Sequence, residues 1–184
     1  MCELRLCGLT MSFKFTPEYI FDKFDMVTAD FLSSIGVKGI VLDVDNTLEP
    51  YENSKPGERV IAWYNSLRSF GIALSIVSNN SRERIDVFNE DLGLVAYSKA
   101  KKPFPKNVKR AMNAMGTKKE NTILMGDQIF TDVLAAHNAG IRAILVPPIK
   151  DKTDPFTRFK RLLERPFIKK YYKMHEKAGQ KKNE

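Results

Sequence analysis

Long apolar runs are missing from this chain of 184 residues. None approaches the roughly 20 consecutive apolar residues that a bilayer-spanning helix requires. Cysteine is nearly absent: Cys2 and Cys7 are the only two, and both lie in the leader. Two close cysteines make neither a disulfide framework nor a complete zinc site, so a reducing cytoplasm is the expected setting. The leader carries Glu3 and no sustained apolar segment, which argues against a signal peptide. What remains is 43% apolar and 28% charged, the composition of a globular protein long enough for one domain with a core of its own.

Charge is abundant but uneven. The net charge is +8, and residues 158–184 hold ten Lys or Arg against three acids, which leaves about one net charge for everything before them. Basicity is therefore expected to be a property of a C-terminal tail. Its cations alternate with Phe156, Phe159, Leu162, Leu163, Phe167, Ile168, Tyr171 and Tyr172. Such a mixture suits an anionic membrane surface, a nucleic-acid backbone or simple solvation, and the sequence leaves these open.

Along the body, apolar stretches alternate with amphipathic ones. Pro17 is expected to open a helix over residues 17–35, with Ile20, Phe21, Phe24, Val27, Phe31 and Leu32 recurring at helical spacing. Strands are expected at 39–43, 72–77, 94–97, 122–125 and 142–146, with helices between them. Strands alternating with helices predict a parallel sheet with right-handed crossovers, an α/β fold. Ligands of such sheets bind at the carboxyl ends of the strands.

Those ends are where the chemistry-bearing residues fall. Asp43 and Asp45 close the first strand at a spacing that points both side chains to one side. Two such carboxylates repel unless a cation or a shared proton relieves them, and a hard divalent cation such as Mg²⁺ suits them. Ser78 follows the second strand, Lys102 the third, and Asp127 and Asp132 the fourth. Singly, each has an ordinary explanation: a polar turn for the aspartate pair, a helix cap for Ser78, a helix-dipole charge for Asp132. Together they suit a phosphoryl group, with cations spreading its charge and a hydroxyl holding it in line.

Asp43-Val-Asp-Asn-Thr-Leu, Ser78-Asn-Asn, Lys102-Pro103 and Gly126-Asp-Gln-Ile-Phe-Thr-Asp132 resemble, in order, the four motifs of haloacid-dehalogenase-type phosphatases. The resemblance implies a Rossmann-like three-layer α/β/α sandwich. It makes Asp43 the nucleophile, Asp45 the acid and base, and Ser78, Asn79 and Lys102 the phosphate binders. Mg²⁺ would be held by Asp43, the Asp45 backbone carbonyl and Asp127, with Asp132 in support. Dehalogenation is not implied, because dehalogenases of this type usually lack an acid at the position of Asp45.

Only 32 residues separate Asp45 from Ser78, and 23 separate Ser78 from Lys102, too few for an inserted cap domain. An open site favours a phosphate carried by something large. The Pro17 segment, Asp-Asn-Thr-Leu, Gly-Asp-Gln and the late Asp151, Thr153, Arg158 and Glu164 also resemble the capless YqeG-like branch. That branch implies a phosphatase acting on phosphatidylglycerophosphate. The expected organisation is one domain over residues 13–165 with a basic tail over 166–184. The expected location is cytoplasmic, with possible contact at the inner face of the membrane. A protein or nucleotide phosphatase, or a non-catalytic module binding phosphate or RNA, would be the other outcomes.

Overall fold

The computed structural model describes residues 14–150 and a helix over 155–180, with the side chains of that helix described over 161–174. Cys2, Cys7, Asp151 and Thr153 lie outside the described residues, and so does the side chain of Arg158.

Six parallel strands form one sheet: β1 (Tyr19–Ile20), β2 (Gly39–Leu42), β3 (Ala73–Val77), β4 (Val95–Tyr97), β5 (Thr122–Gly126) and β6 (Arg142–Leu145). Their spatial order is β1-β6-β5-β2-β3-β4. From β2 the chain winds outward through β3 and β4, then returns to the other side of β2 with β5 and β6. The order therefore reverses beside β2, where a sheet of this kind opens a crevice for ligands.

Alternation along the strands builds two cores. Ile40 and Leu42 of β2, with Ile123, Met125 and Ile144, face α1 (Ala29–Ser34), α2 (Glu58–Ser69) and α3 (Arg82–Asn89). Val41, Leu124, Ala143 and Leu145 face the other way, against α4 (Lys106–Ala114) and α5 (Leu134–Ala139). Both faces of a parallel sheet are thus covered, which is why its strands read as continuous apolar runs. The result is the three-layer α/β/α sandwich.

The N-terminal expectation needs correction. No helix spans 17–35. Tyr19 and Ile20 pair instead with Ile144 and Leu145 of β6, a 3-10 turn follows at Phe24–Met26, and α1 begins only at Ala29. Phe24, Val27 and Leu32 of this segment nonetheless lie in the core. Two features override their helical spacing. The row of unpaired groups along β6 takes a strand partner. The Thr28 hydroxyl, accepting from Phe31 N at 3.1 Å, starts the helix late.

The C-terminal boundary also moves. The helix α6 (Pro155–Gln180) runs without interruption through the expected domain end at 165/166. Phe167 and Ile168 pack on the second core, and Tyr171 is buried with its hydroxyl accepting from Ile20 N at 3.3 Å. Charge counting concealed this because a net charge does not register that Phe167, Ile168 and Tyr171 turn towards the body. Leu162, Leu163 and Tyr172 point outward instead.

His137 on α5 ties this end of the sheet together. Its Nδ1 donates to Lys14 O at 2.6 Å, and its Nε2 donates to the Glu18 carboxylate at 3.2 Å. Glu18 in turn accepts from Ala143 N at 2.7 Å. Two acceptors on two ring nitrogens call for the imidazolium form. Burial alone would lower its pKa, but Glu18 and the Lys14 carbonyl outweigh burial and hold it above 6.5. Its contribution is therefore fully present below about pH 6.5 and fades as pH rises through the raised native value. The melting-temperature gap between wild type and His137→Ala is expected to be widest near pH 6 and narrower by pH 9.

Candidate active site

The carboxyl ends of β2 to β5 surround an open, mostly polar hollow of about 330 Å³. It is lined by Asp43, Asp45, Ser78, Asn79, Lys102 and Asp132, together with Tyr51, Asn80, Gln128 and Thr131. Each crossover on either side of β3 holds a single helix, as the short gaps predicted.

Asp43 sits one residue past β2, its N–H bonded to Met125 O at 3.0 Å. Its Oδ1 lies 2.6 Å from Lys102 Nζ, and its Oδ2 accepts from the Thr47 hydroxyl at 3.2 Å. The same Lys102 ammonium is 2.6 Å from Asp132 Oδ1. Burial alone would lower the lysine pKa, but the carboxylates of Asp132 and Asp43 more than offset it and raise the value. Lys102 is a fixed cation. Asn79 lines the hollow with its side chain committed to holding that cation, accepting from Lys102 N at 2.6 Å and donating to Lys102 O at 3.1 Å. Ser78 is buried, and its hydroxyl accepts from Asn80 N at 3.1 Å.

Asp45 faces the hollow in a different setting. Asn80 Nδ2 donates to its Oδ2 at 2.8 Å, and Arg84 approaches its Oδ1 at 3.2 Å. The two aspartates do not share one cation; each has its own. Separate environments for two neighbouring carboxylates are how one fold assigns them separate roles.

Below them, a π-helical turn at Ile129–Val133 follows β5, with both Asp132 N and Val133 N reaching Gln128 O. The turn folds Asp132 back against Gly126, where an added Cβ would meet the Asp132 carboxyl carbon at 2.3 Å. Only glycine tolerates that approach. Asp127 is buried; its Oδ2 accepts from Arg161 of α6 at 2.7 Å, while its Oδ1 has no partner among the described residues. Burial, then the charges of Asp132 and Asp43, push the Asp127 carboxyl up to about 7. Burial also raises Asp132.

Oxygen atoms of Asp43, Asp127 and Asp132 lie within 4.8 Å of one another. An orphaned buried carboxylate oxygen inside a set of hard oxygen donors fits a divalent cation. Asp43 and Asp127 would hold it with Asp132 in support, and it would supply positive charge beside the transferring group.

Four contributors escaped sequence reading as site residues. Thr47, Asn80 and Arg84 lie inside or just beyond recognised motifs. Arg161 lies far away on α6, where Glu164 Oε1 also accepts from Ile129 N at 2.8 Å and holds the π-turn. Residues 161, 164, 168 and 171 recur at helical spacing, and that stripe was the available signal.

A family model for haloacid dehalogenase-like hydrolases matches residues 15–146. The chain belongs to that family. It is 38% identical over 154 residues to "Probable phosphatase YqeG" of Bacillus subtilis (strain 168), covering 84% of this chain and 90% of that one. Pyrophosphatase PpaX of Halalkalibacterium halodurans is 32% identical over 111 residues, 55% of this chain and 48% of that one. A haloacid dehalogenase-superfamily hydrolase from Ehrlichia chaffeensis shares the fold at a TM-score of 0.50 and 17% identity, covering 70% of this chain and 98% of that one. Family membership, with a site that gives two aspartates separate partners, makes this chain a phosphatase of that family.

Proposed function

We propose that this enzyme is a Mg²⁺-dependent phosphomonoesterase working through an aspartyl-phosphate on Asp43, and that its substrate is phosphatidylglycerophosphate. The observation that carries the chemistry is the split of Asp43 and Asp45 between Lys102 and Arg84. An Asp43 carboxylate oxygen attacks phosphorus as the bond to the leaving oxygen breaks, and Asp45 gives that oxygen a proton. Asp45, now a carboxylate, takes a proton from water as the water oxygen attacks the same phosphorus. The acyl-phosphate bond breaks, inorganic phosphate departs and Asp43 is regenerated. Lys102 balances charge on the phosphoryl oxygens, and Ser78 holds them in line. Mg²⁺ would be held by Asp43, Asp127 and the Asp45 carbonyl, with Asp132 supporting it.

Three features support the lipid. The hollow is open. Beside it, across the 47–50 loop, lies a second, more apolar hollow of about 370 Å³ whose lining includes Phe24, Leu48, Pro50, Pro148 and Ile149. The outer side of α6 carries exposed Leu162, Leu163 and Tyr172 among Arg165, Lys169 and Lys173, a mixture suited to an anionic cytoplasmic membrane face. Among the described residues no helix is long and apolar enough to cross a membrane, so contact would be peripheral.

Phosphate release should be measured from p-nitrophenyl phosphate with and without Mg²⁺, and from phosphatidylglycerophosphate micelles beside phosphopeptides and nucleotides. Metal-dependent turnover of both the nitrophenyl ester and the lipid is expected. Inactivity on every ester with metal present would refute the chemistry. Turnover of a peptide or nucleotide in place of the lipid would refute only the substrate.

A further inference from the structure

The guanidinium of Arg84 is placed with more care than a surface charge. Its side chain is 12% exposed, as is that of its partner Asp45. Nη1 donates to the Ser54 carbonyl at 2.7 Å, and the guanidinium lies 5.5 Å from the centre of the Phe88 ring. Nε and Nη2 are both 3.2 Å from Asp45 Oδ1. Backbone, aromatic ring and carboxylate thus fix a planar cation from three sides. The Ser54 anchor is itself held, because Glu49 Oε1 and Oε2 accept from Gly57 N and Asn53 Nδ2, each at 2.8 Å.

Arg84 is not among the residues that line the catalytic hollow. Its contact is with the carboxylate that must deliver a proton to the leaving oxygen. Asn80 holds the other oxygen of that carboxylate at 2.8 Å. Each carboxylate oxygen has two lone pairs, so a bond from Arg84 or Asn80 leaves room for a proton directed at the substrate. A carboxyl clamped on both oxygens has one orientation, and proton delivery depends on that orientation.

We infer that Arg84 is the positioning residue for the proton donor: held by Ser54 and Phe88, it aims Asp45 at the leaving oxygen. The inference rests on the phosphatase reading, and it is read in the step in which the leaving group departs, because the later attack of water, which also uses Asp45, is common to every ester. An alkoxide needs a proton to leave, whereas p-nitrophenolate leaves nearly unaided. Loss of Arg84 must then penalise the two kinds of ester unequally, which a residue that merely supports the fold would not do.

The test compares kcat/KM, which reports only as far as departure of the leaving group, for p-nitrophenyl phosphate and glycerol phosphate in wild type, Arg84→Gln, Arg84→Lys and Asp45→Asn, with Mg²⁺ present. General acid catalysis is worth about 10²–10⁴-fold, so Arg84→Gln is expected to lose about 10- to 100-fold on the alkyl ester. On the nitrophenyl ester it should lose less than about 3-fold, following the same pattern. Arg84→Lys restores part of the alkyl activity, and adding Arg84→Gln to Asp45→Asn changes little more. The ratio of the two rates is independent of how much of a sample is folded, so an unstable variant still gives an answer. Equal losses on both esters, or none, would overturn the role of Arg84. Wild type inactive on both esters would instead overturn the phosphatase reading.

Discussion

Asp43→Asn is expected to lose about 10⁴-fold or more in phosphatase activity while remaining folded. Groups that act as a catalytic unit cost this much when one of them is removed. Asparagine keeps the shape: its amide oxygen can accept from the Lys102 ammonium, while its NH2 can donate to the Thr47 hydroxyl. What disappears is the nucleophile. The electrostatics distinguish this outcome from unfolding. Asp43 is one of the charges that push the Asp127 carboxyl up to about 7, behind burial and Asp132. A carboxyl whose native value is raised binds protons that the unfolded chain has released, so it weakens the metal-free fold as pH climbs from about 4 to 7. Removing the Asp43 charge eases that effect. Thermal melts in EDTA at pH 7 should therefore place Asp43→Asn at or above wild type. Retained activity in this variant would refute the nucleophile.

Lys102→Met should do the opposite to stability. Lys102 is buried, and its ammonium is 2.6 Å from both Asp43 and Asp132. Without it, the three clustered carboxylates keep one cation partner among the described residues, Arg161. Breaking a buried pair by removing one partner costs about 3–5 kcal/mol, which for a chain of this length is about 10 °C in melting temperature. The sign with pH follows from the acids. Asp132 is already raised by burial, and Lys102 is the main influence pulling it back. Losing that cation raises Asp132 further, so the deficit is largest at pH 8 and shrinks towards pH 5, where the carboxyls hold protons. Added Mg²⁺ should recover part of the lost stability, since it returns positive charge to the same oxygens, while activity stays low. A variant as stable as wild type in EDTA at pH 8 would show that Lys102 does not hold the cluster together.

Both expectations use residues that stood out along the chain, and the reason is local. Asp43, Asp45, Ser78, Lys102 and Asp127 each lie within a few residues of a strand end, so hydrophobic runs and the breaks after them were enough to find them. The N-terminal segment shows where that reasoning stops. Its apolar spacing suited a helix equally well, and only the open edge of β6 made Tyr19–Ile20 a strand. The misplaced boundary at 165/166 has a related cause. Net charge describes a whole segment, whereas docking depends on one face of α6.

From the sequence alone came the α/β alternation, the single-helix crossovers that leave the hollow open, and the strand-end residues of the site. These depend on hydrophobic periodicity and short spacings, which the chain carries locally. Only the tertiary structure decided which cation each aspartate would have. Lys102 lies 59 residues from Asp43, Arg84 39 residues from Asp45, and Arg161 34 residues from Asp127. Contacts at such separations depend on how helices settle on the sheet, and no local pattern encodes the final distance between two side chains. That packing turned two similar carboxylates into a nucleophile and a proton donor, and it brought the last helix of the chain onto the loop that carries Asp127 and Asp132.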